Sequence, residues 1–479
     1  METGKFLQVL MASGPGKAGL TLLTILVMIS LYVVFTYPRD FGTARWANPV
    51  LWADNPKAAP PVWTNLFTRK RRAEHRILKA SNPTRVESVG TSWVHLYELP
   101  FSYQADEPPT FISLSLSEIV YHSRPPVVSA SLVRPDGNVV LLYRQVLRGP
   151  RPGESPPYRR HVDTPLRVLL SGEERAFSAM SELLESTYGV FLPREKLRGR
   201  LETALFGTFV SEDEFEVLPG DYRVNVQFVL HDPEDYAGMA RVVVGGSVYG
   251  LMGTDALGRD LREGLLFGLP VALLIGVAAS TISTLIGTLL GLVSGYRGGH
   301  LDMAIQRAAD IVSNIPMLPL LIFIVLIGGQ HLWLIILVLV AFSWPGLTII
   351  VRSLVLQIRS GQGVEAAEAL GASRRRVIFR HIFPHTASYV FAQLVFFAPS
   401  AILAEAGLSF LGLGDPSIPT WGQILEHGFR TGAVFLGYWW WVVPPGLLIV
   451  LTALTFMLIS LSLEPVVDPR LRRTRIWRY

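Results

Sequence analysis

The chain has 479 residues, of which 50% are hydrophobic and 17% charged, with a mean hydropathy of +0.36, and its apolar residues fall in runs, which is the composition of a membrane protein. With no cysteine, disulfides, thiolate metal sites and cysteine nucleophiles are excluded together. A net charge of +5 and a pI near 9.4 fit the basic cytoplasmic loops of such a protein better than a nucleic-acid surface.

In chain order, a window of roughly 19 residues finds about six stretches apolar enough to span a bilayer. They lie near Ala18 to Tyr37, Leu265 to Ser294, Ile311 to Gly328, His331 to Val351, Thr386 to Leu408 and Phe435 to Leu463. The first is long for a signal peptide and has no small-residue cleavage site behind it, so it reads as a retained anchor. These runs divide the chain into an N-terminal piece with the first span (1–37), a long polar insertion (38–248), a membrane core with the remaining spans (249–464) and a basic tail (465–479).

Lys and Arg in short loops set the orientation. Lys5 and Lys17 before the first span offset Arg39 and Arg45 after it. Further on, Arg352, Arg359, Arg374, Arg375, Arg376 and Arg380 crowd the loop after the fourth span, and Arg470, Arg472, Arg473, Arg475 and Arg478 follow the sixth. Both regions are expected in the cytoplasm, and an even number of spans places the N-terminus there too. The insertion then lies outside despite its TRKRR cluster, because long loops translocate largely regardless of charge.

The insertion is long enough to bury a core of its own. In LPGDYRVNVQFVL, Tyr222, Val224, Val226, Phe228 and Leu230 alternate with Arg223, Asn225 and Gln227 after a Pro219-Gly220 turn, which predicts a half-buried strand. In SASLVRPDGNVVLLY, residues Pro135 to Asn138 supply turn chemistry between two β-rich runs, which predicts a hairpin. SGEERAFSAMSELLESTYGV predicts a helix, with Ser171 and Glu174 as a capping box and Phe177, Met180, Leu183 and Leu184 as its apolar stripe. A β-rich α+β domain resembling a sandwich with a helical insertion is expected.

Within the core, Ser283, Gly287, Gly291 and Gly295 recur at every fourth position, leaving one helix face almost free of side chains for close packing. Asp310 and Glu405 lie near the ends of their spans, and no chain of acids or histidines crosses a midplane, so the chain is not expected to carry its own ion coupling. GPGKAG lacks the phosphate-loop spacing, with Met11 and Ala18 at the wrong places, and is not a nucleotide site. His381 and His385 are four apart with Pro384 between them and no third ligand, so no metal site is expected. Energy must come from elsewhere.

The stretch GVEAAEALGASRRRVIFRHIFPH, Gly363 to His385, breaks the apolar pattern between the fourth and fifth spans. Glu365 to Leu370 reads as a short helix, Gly371 ends it, Ser373 caps a second helix from Arg374, and Pro384 redirects the chain into the fifth span. Two short helices held between spans form a handle over 359–385.

That stretch resembles the EAA loop of permease subunits of binding-protein-dependent ABC importers, with Glu365, Ala366, Ala367, Gly371 and Pro384 in register. GTDALGRD (Gly253 to Asp260), EAGLSFLGLGDPSIPTWGQIL (Glu405 to Leu425) and DPRLR (Asp468 to Arg472) are similar to hallmarks of the C-type subunit of dipeptide and oligopeptide permeases. His381 and Phe383 depart from the general pattern, and the large insertion from the compact family form. The resemblance implies a type I importer permease of about six transmembrane helices that is not itself an enzyme. It also implies a homologous B-type permease, two ABC ATPases that carry ATP and Mg, an extracytoplasmic solute-binding protein, surrounding membrane lipid, and no nucleic acid or cofactor on this chain. Under it, Glu365, Ala366, Ala367, Gly371, Ala372, Ser373 and Pro384 would couple to an ATPase. Gly253, Thr254, Asp255, Arg259, Asp260, Glu405 and Trp421 would shape the outer entrance, meet the binding protein or simply orient helices. Nickel chelates and oligosaccharides are alternative cargoes of the same family; a membrane-anchored receptor or an intramembrane enzyme is the alternative class.

Overall fold

The computed structural model describes residues 10–467, with side chains as far as 463. The expectations on Lys5, on the stretch from Asp468 to Arg472 and on the basic tail beyond it lie outside the described residues. Two compact units emerge, one of residues 1–49 with 261–479 and one of residues 50–260. The division falls at 50 and 260, where hydropathy alone sets it at 38 and 248.

In chain order the helices used below are α1 (Gly14–Thr36), α2 (Glu174–Tyr188), α3 (Leu261–Arg297), α4 (Gly299–Asn314), α5 (Met317–Gly328), α6 (Leu332–Arg359), α7 (Gln362–Ala369), α8 (Arg374–Arg376), α9 (Phe383–Phe410), α10 (Trp421–Arg430) and α11 (Trp439–Val467). The strands, all in residues 50–260, are β1 (Arg76–Ala80), β2 (Arg85–Val89), β3 (Ser92–Tyr103), β4 (Phe111–Tyr121), β5 (Val127–Val133), β6 (Val139–Val146), β7 (Tyr158–Arg160), β8 (Leu166–Leu169), β9 (Gly207–Ser211), β10 (Glu214–Val217), β11 (Gly220–Leu230) and β12 (Tyr236–Gly245).

In the strand-rich unit, one sheet runs β2-β3-β11-β5-β6 and a second runs β1-β12-β4-β7, with β8 also on β4; every pairing is antiparallel. Alternation in β11 buries Tyr222, Val224, Val226, Phe228 and Leu230. They share one core with Ile112, Leu114 and Leu116 of β4 and Val242 and Val244 of β12, so the sheets close as a sandwich. Each fully buried side chain of this size stabilises by roughly 1.5–3 kcal/mol. The β5–β6 hairpin turns at Gly137, whose φ of +84° suits glycine. One expectation is corrected here: α2 is capped at Glu173, whose side chain makes no capping bond, and not at Ser171. Ser171 sits in the preceding turn, buried, with its Oγ accepting from Ile112 N at 3.5 Å. The hydroxyl is spent on β4 and cannot serve the helix.

Among the described residues of the other unit, five helical runs are long and apolar enough to cross a membrane: α1, α3, α6, the run Arg374–Phe410 and α11. The third span expected at Ile311 to Gly328 is built as a pair of helices, α4 and α5, that are apolar enough together but bent by 81° at the break between them. Pro316 has no N–H to extend α4 and biases Ile315 to its extended conformation (φ −78°, ψ 125°). Asp310 therefore sits exposed on the α4 arm.

α3 and α6 run parallel. A Cβ built on Gly287 would lie 3.0 Å from Leu347 Cβ, on Gly291 2.7 Å from Val351 Cβ, and on Gly295 2.7 Å from Val355 Cβ, so both sequences advance together by four. Parallel neighbours require the chain between them to return across the bundle, and α4–α5 is the segment that does so. The start of α3, the end of α9 and the start of α11 meet around α10. Trp421 Nε1 donates to Leu265 O at 2.9 Å, Gly422 lies against Ala406, and Trp441 Nε1 donates to Ile424 O at 3.1 Å. At the opposite end lie the ends of α3 and α6, where Arg359 stands over the Tyr296 ring at 5.8 Å. The start of α1 packs beside the end of α11, with Gly19 against Ile459.

Candidate functional site

The segment after α6 forms the handle. α7 ends in a Schellman-type turn: Ala372 N donates to Ala367 O at 3.0 Å, and Gly371 holds φ +78°. A Cβ on Gly371 would meet nothing within 4 Å, so the glycine is required by backbone conformation alone. Ser373 is the N-cap of α8 without a side-chain capping bond.

One side of the handle is anchored. Val364, Ala367, Val377 and Ile382 are buried with Leu292 and Tyr296 of α3 and Val351 and Val355 of α6. Tyr296 Oη donates to Glu368 Oε1 at 2.8 Å, tying α7 to the end of α3. Arg352 grips Asp302 of α4 with two bonds of 2.5 and 2.6 Å, which fixes α4 to the same platform. The other side is open, with Glu365, Ala366 and Gly371 exposed and Ala372 half-buried. Ala367, expected among the presenting residues, instead faces the anchor. Sequence reasoning missed the two large apolar groups the handle exposes, Leu370 at 89% and Phe379 at 55%. Helical spacing does not single them out: Leu370 follows the buried Ala367 by three residues, and Phe379 lies beyond the break at Gly371.

Pro384 does not redirect the chain, which corrects the expectation of a second short helix. α8 continues through a π-helical turn, Val377–Ile382, straight into α9 as one helical run. Within the wider turn Phe383 N–H reaches back to Ile378 O, shifting the ladder just where Pro384 would otherwise leave a gap. Arg374, Arg375 and Arg376 occupy the first turn, where cations oppose the helix dipole. Helix stability therefore does not account for them.

The GTDALGRD stretch is inward-looking. Thr254, Asp255 and Arg259 are buried, and Arg259 Nε donates to Asp255 Oδ2 at 2.5 Å while Asp255 Oδ1 accepts from Leu257 N and Arg259 N, both at 2.9 Å. Thr254 Oγ1 donates to Pro56 O at 2.7 Å and accepts from Ala59 N at 2.9 Å, and Ala58 N donates to Asp255 O at 2.8 Å. Gly253 (φ +74°) makes the turn and Asp260 closes it by bridging to Thr254. The motif ties the entering and leaving segments of the strand-rich unit together.

In the other unit, Glu405 is buried on α9 and accepts from Ser409 Oγ at 2.6 Å, and Trp421, buried, is held as described above. Gly414 and Gly422 let the intervening loop lie against Ser409. Ser283 continues the glycine stripe into a cavity of about 220 Å³ walled by α3, α5, α6 and α9. Four serines line it. Ser280, Ser343 and Ser400 donate to carbonyls of their own helices, at 3.2, 2.6 and 3.3 Å, leaving oxygen lone pairs toward the space; Ser283 Oγ is buried and unpartnered. Phe342 and Phe397 complete the wall.

A grouping the sequence did not reveal lies in the strand-rich unit, where His122, Asp232 and Asp235 stand within metal-ligand distance. Asp235 already accepts from His122 N, His122 Nδ1, His231 N and Asp232 N at 2.8–3.1 Å. That saturates its oxygens and makes it a turn clamp.

Residues 287–473 match the family described as binding-protein-dependent transport system inner membrane component. The chain is 36% identical over 222 residues to the dipeptide transport system permease protein DppC of Bacillus subtilis, covering 46% of this chain and 69% of that one. It is 37% identical over 223 residues to the oligopeptide transport system permease protein OppC of Haemophilus influenzae, covering 46% and 71%. Among solved structures, a chain of the MetNI methionine ABC transporter is 20% identical and covers 42% of this chain and 99% of its own, with a TM-score of 0.31.

Proposed function

This chain belongs to the dipeptide and oligopeptide permease subunits of binding-protein-dependent transport systems, and from that premise we propose how its parts serve transport. It forms one half of the peptide pathway of a type I importer; a homologous B-type permease forms the other. Two ABC ATPases carry ATP and Mg on the handle's side, which is the cytoplasm, and both termini lie there. The strand-rich unit and an extracytoplasmic solute-binding protein stand on the outer side of the cytoplasmic membrane. The side rests on parity: the start of α1 lies by the end of α11, and the arginine-rich end of the bundle carries the handle.

The observation that carries the coupling role is the two-sidedness of the handle. Val364, Ala367, Val377 and Ile382 lock it to α3 and α6, so it moves as a rigid body with them, while Leu370 and Phe379 stand out as apolar knobs beside Glu365 and Ala366. A partner that buries such knobs and shifts on ATP binding biases the bundle between two packings. The serine-lined cavity supplies the pathway wall. Its lone pairs accept from the N–H groups that a peptide presents, without side-chain charge to hold it.

The test is to purify the chain with its B-type partner and ATPases, reconstitute them in nanodiscs, and measure ATP hydrolysis with the binding protein loaded with mixed peptides. Stimulation that needs both, and is lost in Gly371→Val while the complex still assembles, supports the reading. An assembled complex of Gly371→Val that hydrolyses ATP at the normal stimulated rate overturns the handle's role.

A further inference from the structure

The strand-rich unit contains a cleft of about 810 Å³, bounded by the segment Ala53–Ala59 on one side and by β4, β8 and the end of β12 on the other. Its size lies within the usual range for small-ligand sites. The pairing register explains its chemistry. Ser115 of β4 stands opposite Arg167 of β8 and opposite Arg241 of β12, so two guanidinium-bearing residues flank one serine on the sheet face away from the core.

Asp54 reaches over that face. Arg167 Nη2 and Arg241 Nη2 come within 3.1 and 3.0 Å of the same oxygen, Asp54 Oδ2, yet no N–H is aligned with it as a hydrogen bond. Arg241 Nε and the hydroxyls of Ser113 and Ser115 are buried with no partner at all. Beside them His75 has its pKa lowered to about 4, by burial first and by Arg241 second, so it stays neutral and adds no charge of its own. Lys57 joins Arg167 in the cleft lining. Glu107 is taken up by Ala73 N and by Ser247 Oγ of the cleft lining. One carboxylate thus faces two guanidiniums, with Lys57 a further cation in the lining, and several donors at its edge are unspent. Leaving buried donors unmade costs about 1–3 kcal/mol each, so a protein that retains them together has a use for them.

We propose that this cleft binds an oxyanion attached to an apolar body, with the guanidiniums of Arg167 and Arg241 and the hydroxyl of Ser113 holding the anion and Phe111, Val168 and Leu169 holding the body. A guanidinium fork matches carboxylate and phosphate alike. The oxyanion is therefore the C-terminal carboxylate of a short apolar peptide or the headgroup of an anionic lipid. The site is independent of the handle and the serine cavity and would stand if either failed.

The test titrates the whole chain, in nanodiscs of neutral phosphatidylcholine, with an apolar tripeptide bearing a free C-terminal carboxylate and with the same tripeptide amidated. The free acid is expected to bind at least tenfold tighter than the amide, and Arg167→Gln to erase that preference. Asp54→Asn releases both guanidiniums and is expected to tighten the free acid severalfold, a gain that misfolding does not produce. The titration is then repeated in discs containing phosphatidylglycerol. Tenfold weaker peptide binding there, with less phosphatidylglycerol retained by Arg167→Gln after purification, supports the site and assigns it to lipid. Equal binding of acid and amide, together with lipid retention indifferent to Arg167→Gln, overturns the proposal.

Discussion

Gly291 of α3 lies so close to Val351 of α6 that a Cβ on the glycine would stand 2.7 Å from the valine Cβ and 2.9 Å from Thr348 O. No rotamer change relieves a clash against backbone, so the parallel pair must separate to admit even a methyl group. Gly291→Ala is expected to destabilise by about 1–3 kcal/mol, the usual cost of overpacking. Gly346→Ala on the facing helix is the control, since a Cβ there meets nothing within 4 Å. Thermal unfolding in detergent separates them: a drop in Tm for Gly291→Ala alone is expected, and equal behaviour of the two refutes close packing.

At Gly371 the constraint is conformational. With φ +78° and open space around it, the position tolerates a residue that adopts the left-handed region and rejects one that does not. Gly371→Asn is expected to retain most of the peptide-stimulated ATPase activity, and Gly371→Val to lose it at a local cost of about 1–2 kcal/mol. Leu370→Ser, at an exposed site, is expected to leave Tm unchanged and lower stimulation at least tenfold. A Leu370→Ser complex that couples normally removes the knob from the docking surface.

His75 makes the strand-rich unit acid-sensitive. Its folded pKa is about 4 against 6.5 for the free group, lowered by burial and then by Arg241. Between those values the unfolded chain binds the proton and the folded one does not, so stability falls as pH drops from 6.5 toward 4, by about 3 kcal/mol in all. The His75 ring lies 5.3 Å from Tyr249 and 6.4 Å from Phe111, a setting that suits phenylalanine. His75→Phe is expected to flatten the dependence of Tm on pH over that window. An unchanged slope would show that other groups carry it.

Much of this was legible where the signal is local. Alternation in β11 marks its buried face, and the spacing of Gly287, Gly291 and Gly295 marks a packing stripe because every turn repeats it. Non-local pairing was not legible: β8 and β12 are distant in sequence, so the cluster that Arg167 and Arg241 form around Asp54 appears only once β4 lies between them. The bend between α4 and α5 was hidden because hydropathy averages over Pro316. Continuity through Pro384 was hidden because a π turn has no composition of its own. Asp255 and Arg259, four apart with opposite charge, already hinted at an internal ion pair.

The serine cavity yields the most specific prediction about cargo. Ser283 Oγ is buried without a partner, so removing it leaves no orphan behind, and Ser283→Ala is expected to hold or slightly raise Tm. If the hydroxyl meets peptide N–H groups in transit, the same substitution raises KM for uptake in proteoliposomes severalfold without changing basal ATP hydrolysis. Ser283→Leu places a branched side chain in about 220 Å³ already walled by Phe342 and Phe397. It is expected to block uptake while the binding protein still stimulates the ATPases, because the handle packs on the ends of α3 and α6, several helical turns beyond Ser283 and Ser343. Uptake kinetics of Ser283→Ala and Ser283→Leu identical to the parent would move the pathway off this wall.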